Sequence, residues 1–99
     1  MPTRVRPASK NVFRDLGFTP AEAENLKGRA DLMIRLTGII ESRGLTQLEA
    51  AKLLGVTQPR ISDLMRGKID RFSIDGLVEM LGHIGIGVRF VLKPRKKVA

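Results

Sequence analysis

Ninety-nine residues with a formal net charge of +8 make one domain-sized chain, and its basic surplus points to a polyanionic partner. The absence of cysteine excludes a disulfide framework, a thiolate metal site and a cysteine nucleophile, and it suits a reducing cytoplasm. No apolar run approaches the roughly 20 residues needed to cross a bilayer, and Met1 to Lys10 lacks the apolar core of a secretory signal, so a cytoplasmic protein with no membrane partner is expected.

In chain order, residues 1–18 read as a basic arm carrying Arg4, Arg6, Lys10 and Arg14. Arg89, Lys93, Arg95, Lys96 and Lys97 cluster at the opposite end. These two groups hold nine of the 18 basic residues, which leaves nine against ten acidic ones in between. The excess charge therefore sits at the ends, where flexible basic arms can grip the phosphates or a minor groove of a polyanion. Solubility or a protein contact would explain the same charge.

Residues 19–83 read as a helical domain. Thr19-Pro20-Ala21-Glu22 is a helix start, with a Thr cap, Pro at the first position and Glu at the third. Ala23, Leu26, Ala30, Met33, Leu36 and Ile40 continue at helical spacing to a stop at Gly44, and Gly28 is expected to divide the run in two. Residues 46–67 then hold two short amphipathic segments around Gly55. Thr46 caps the first with Glu49 completing a capping box; Thr57 caps the second, and Gly67 ends it. Leu48, Ala51 and Leu54 are the expected buried face of the first, and Ile61, Leu64 and Met65 of the second.

Gln58, Pro59, Arg60, Ser62, Asp63 and Arg66 remain for solvent on the second segment. An apolar-backed helix with amide, hydroxyl and guanidinium groups outward suits the reading of base edges in a major groove, so the pair is expected to be a helix-turn-helix that binds duplex DNA. A further helix follows from Ser73, with Asp75 near its positive end and Leu77, Met80, Leu81 and Ile84 inward. His83 falls at the end of that helix, where it is expected to face solvent or the helix C-terminus.

From Ile84 the period changes to two. Ile84, Ile86, Val88, Phe90 and Leu92 alternate with Gly85, Gly87, Arg89, Val91 and Lys93, which predicts a strand, so residues 84–99 read as a strand and a basic tail. A lone strand needs a partner. The economical one is the same strand of a second copy across a two-fold axis, burying the row of Ile84, Ile86, Val88, Phe90 and Leu92. Pairing within the chain with Asn11-Val12-Phe13 is the other solution.

The Thr46-Gln47 start, Ala51 to Gly55-Val56, Ile61-Ser62 and the closing Gly67 resemble the Xre group of helix-turn-helix regulators, which includes the phage repressors. That likeness implies a mainly α, five-helix phage-repressor-like domain, to which the C-terminal strand is added for dimerisation. Aligned on the repressor pattern, Gln58, Pro59 and Asp63 face base edges, with Arg60 and Ser62 beside them. Thr46, Gln47, Thr57, Arg66 and Lys68 fall near phosphates. Pro59 departs from the usual polar residue and offers only apolar contact, such as to a thymine methyl. Asp63 can accept from a cytosine amino group, or hold Arg60 or Arg66 in place.

A wider set of residues, from Asn11-Val12-Phe13-Arg14-Asp15-Leu16-Gly17-Phe18 through Arg29-Ala30-Asp31 to Phe72-Ser73-Ile74-Asp75, is similar to HigA-like antitoxins. This likeness implies an autorepressor with a HigB/RelE-type toxin as partner, and the expected strand pairing adds a homodimer on a palindromic operator. A free-standing repressor without a toxin, and a toxin-neutralising module with little DNA role, stay open. An enzyme is not expected: one histidine and no cysteine supply no set of nucleophile, base and orienter, and no metal or cofactor is implied. With four aromatic residues, none of them Tyr or Trp, the chain also lacks the stacking platform that single-stranded RNA favours.

Overall fold

The computed structural model describes residues 12–94. It begins with a single turn, α1 (Val12–Asp15), followed by α2 (Pro20–Ser42), α3 (Gln47–Leu54), α4 (Gln58–Met65), a short 3-10 turn (Ile69–Arg71) and α5 (Ile74–Gly82). The mainly helical expectation holds, but the five-helix domain does not. Among the described residues four helices have eight residues or more, and α1 is one turn of four.

The difference lies at Gly28, where α2 continues unbroken for 23 residues. Glycine in a helix interior costs only about 1 kcal/mol relative to alanine, which a long packed helix absorbs. A Cβ on Gly28 would sit 3.4 Å from Ile74 Cδ1, an ordinary contact distance, so α2 passes against α5 here without a break in the helix. At its start, Thr19 donates its backbone N–H to Glu22 Oε1 at 2.9 Å and its hydroxyl oxygen accepts from Glu22 N–H at 3.2 Å.

Ala23, Met33, Leu36 and Ile40 make the buried stripe of α2. Met33, Leu36 and Ile40 meet Ala50, Ala51 and Leu54 of α3, Ile61 and Leu64 of α4, and Leu77, Met80 and Leu81 of α5 in one core, with Phe72 entering from the loop before α5. Within the helices one inward assignment fails: Leu48 is 53% exposed, and Ala50 is buried instead. At 100° per residue, Ala50, Ala51 and Leu54 share one arc of α3, and Leu48 lies beyond its edge, about 110° from its centre.

The C-terminal strand is not seen among the described residues. Gly85 has a φ of +75°, its N–H bonds to Gly82 O at 3.1 Å, and Ile86 N–H bonds to Leu81 O at 3.0 Å. That is a Schellman ending of α5, so the first residues of the period-two row belong to a helix stop. Ile84, Ile86 and Val88 pack half-buried on the chain's own core, while Phe90 and Leu92 are 64% and 94% exposed. The row assigned to dimerisation is thus split, and there is no strand among the described residues for a second copy to pair with. Pairing with the N-terminal segment fails as well, since Val12 and Phe13 lie in α1.

Candidate nucleic-acid interface

Two helices of eight residues meet at the turn around Gly55. On α3, Thr46 N–H donates to Glu49 Oε1 at 2.8 Å and Glu49 N–H to Thr46 Oγ1 at 3.1 Å. These bonds, the backbone one first, hold the Glu49 carboxyl below its ordinary range. Gly55 adopts φ +71°, ψ +31°, and Val56 N–H returns to Ala51 O at 3.0 Å. The left-handed backbone reverses the chain in few residues, and Thr57 then opens α4 by accepting from Arg60 N–H at 3.4 Å. Ile61 and Leu64 bury the inner side of α4 against the core.

The opposite side presents Gln58 and Pro59, both exposed in the first turn, and half-buried Ser62 one turn on. Thr46, Gln47, Thr57 and Arg66 are exposed at the helix ends. Arg60 is engaged elsewhere. Its guanidinium carbon lies 4.3 Å from the centroid of the Phe72 ring, and Nη1 donates to Arg71 O at 2.6 Å. The carboxylate of Asp63 accepts from Arg71 Nη1 at 3.3 Å and pairs with Lys68 Nζ at 3.8 Å. Asp63 thus holds Arg71 and Lys68, where the sequence suggested Arg60 or Arg66. With Arg71 55% exposed, these pairs contribute at most about 1 kcal/mol each, so they orient the cations more than they stabilise the fold.

Two arginines carry roles that the sequence does not announce. Arg71 leaves the 3-10 turn beside α4, and Arg29 on α2 reaches forward some forty positions to donate Nη1 to Ile69 O and Phe72 O, each at 3.2 Å. Neither has a local signal, because a surface arginine on a helix looks like solvated charge until the chain folds back on it. His83 is exposed at the end of α5, as its position suggests, and its ring also lies against the Gly55 turn.

This geometry, two capped helices about a left-handed glycine with the second helix's opening turn bare, agrees with the comparisons. Residues 12–93 match the helix-turn-helix domain family. A solved structure of a protein assigned to the XRE family of transcriptional regulators is 32% identical, with a TM-score of 0.69 over 79% of this chain and 90% of its own. The chain belongs to the Xre-type helix-turn-helix family. A search of curated proteins found no match. In this Xre-type chain the described residues include no helix long and apolar enough to cross a membrane.

Proposed function

We propose that this Xre-type protein is a sequence-specific, duplex-DNA-binding transcriptional regulator without enzymatic activity. The observation that carries the reading is the first turn of α4, which leaves Gln58 and Pro59 exposed while Ile61 and Leu64 anchor the helix on the core. Gln58 and Pro59 contact base edges there, with Ser62 at the flank. Thr46, Gln47, Thr57, Arg66 and Lys68 bind phosphate, joined by Arg71. Asp63 and Arg60 serve the interface by holding its cations and its loop.

One eight-residue helix spans only a few base pairs, so the protein acts as a homodimer on a palindromic operator with half-sites about 34 Å apart. The resemblance to HigA-like antitoxins supports the finer reading of an autorepressor that also binds a HigB/RelE-type toxin. That reading predicts inhibition of such a ribonuclease by the purified chain; cleavage at an unchanged rate would remove it.

The DNA reading is tested on two labelled duplexes, one enriched from a random library by the wild-type protein and one of random sequence. Gln58→Ala is expected to cost about 1–3 kcal/mol on the enriched duplex and much less on the random one. Equal losses on both would remove Gln58 from base reading. Failure of the wild type to enrich any duplex would overturn the function itself.

A further inference from the structure

We infer that Arg29, on the scaffold helix α2, is a positioning residue for DNA recognition: it sets the pose of the 3-10 turn Ile69–Arg71 and, through that turn, of the cations Lys68 and Arg71. The inference rests on the DNA-binding reading above. The turn is three residues long, and Lys68 at its start makes no side-chain cap. A piece this short has no stability of its own. Its outer carbonyls, Ile69 O and Phe72 O, are both taken by Nη1 of Arg29, while Nε of the same guanidinium is fixed by Asn25 Oδ1 at 2.8 Å.

A third carbonyl, Arg71 O, is taken by Arg60 from the α4 side. The turn is therefore gripped by one arginine from each of the two helices that flank it. A planar guanidinium suits this task, since it offers several N–H donors in fixed directions and stays charged at any physiological pH. Asp63 then draws the Arg71 and Lys68 head groups together beside the recognition helix. Arg29 acts on these head groups by fixing the backbone from which they project.

The competing account is that Phe72, only 3% exposed, anchors the turn unaided. Salt dependence separates the two, because the slope of log affinity against log salt rises by about 0.9 for every phosphate the protein neutralises. Binding of wild type, Arg29→Met, Arg71→Ala and the double variant to a labelled random-sequence duplex is measured across a salt series, with circular dichroism and melting recorded for each. Arg29→Met is expected to stay folded and to reduce the slope by about 1.8, some 0.9 for each of Lys68 and Arg71, and by only about 0.9 when it is added to Arg71→Ala. An unchanged slope in Arg29→Met, or the same reduction in both backgrounds, overturns the inference. Should Arg29→Met fail to fold, Arg29→Lys, which keeps the charge without the fork, is read by the same criteria. Wild-type protein that binds no duplex overturns the function and the inference with it, whereas an unchanged slope in Arg29→Met beside a wild type that does bind overturns the inference alone.

Discussion

Gly55 carries two constraints at once, and their sizes differ. Its φ of +71° is left-handed, which costs a residue with a Cβ roughly 1–2 kcal/mol. An added Cβ would also lie 2.7 Å from the Cε1 and Nε2 of His83. That approach is to the tip of an exposed side chain, which can swing away, so the backbone is the larger constraint. Gly55→Ala should therefore lose about 1–2 kcal/mol in denaturant unfolding, and most of that loss should persist in a His83→Ala background. Disappearance of the loss in that background would make the imidazole, not the backbone, the reason for glycine. The need for glycine at this turn was legible from the spacing of its neighbours, because a helix reversal is a local requirement. The histidine above it was not, because positions 55 and 83 meet only after the core has formed.

Among the elements, α2 and α3 share one device at their starts. Glu22 and Glu49 each accept from the cap residue's backbone N–H and are held below the ordinary glutamate pKa by Thr19 and Thr46 respectively. The folded-state values lie beneath the unfolded ones, so ionisation stabilises the fold above the ordinary glutamate range. The contribution is lost as pH falls through the depressed folded values. Glu22→Gln with Glu49→Gln keeps an acceptor at each site and removes the charge. Melting temperature followed from pH 7 downward should fall less steeply in the double variant; a slope equal to wild type would deny these caps a part in acid sensitivity.

Capping boxes are readable because four consecutive residues decide them. The α5 ending shows where such reading stops. Ile84, Ile86 and Val88 carry strand periodicity, yet the backbone bonds around Gly85 close a helix and turn the three side chains onto the core. Alternation states which residues want burial. It does not state whether a sheet or the chain's own helices will bury them.

At the scale of the whole molecule, charge is distributed by region. Nine of the 18 basic residues lie before Asp15 or after Gly87, so the segment between them is close to neutral. Met1–Lys10 and Arg95–Ala99 fall outside the described residues, and only their charge bears on their role. If the end segments grip phosphate, deleting either should flatten the salt dependence of duplex binding by about 0.9 for each phosphate no longer neutralised. The preference for the enriched duplex over the random one should survive, because phosphate contacts carry no base identity. An unchanged slope would leave these charges to solubility.

The residues alone determined the helix starts at Thr19, Thr46, Thr57 and Ser73, the reversal at Gly55 and the bare opening turn of α4, since each is settled by neighbours within a few positions. Tertiary structure alone decided that α2 runs through Gly28, that Ile84 to Val88 fold inward, and that Arg60 stacks on Phe72 and Asp63 gathers Lys68 and Arg71. It also decided that Arg29 grips a turn some forty positions away. Those outcomes depend on which surfaces meet when one core is closed, and hydrogen bonds and ring contacts between distant segments leave no periodic trace in the order of the residues.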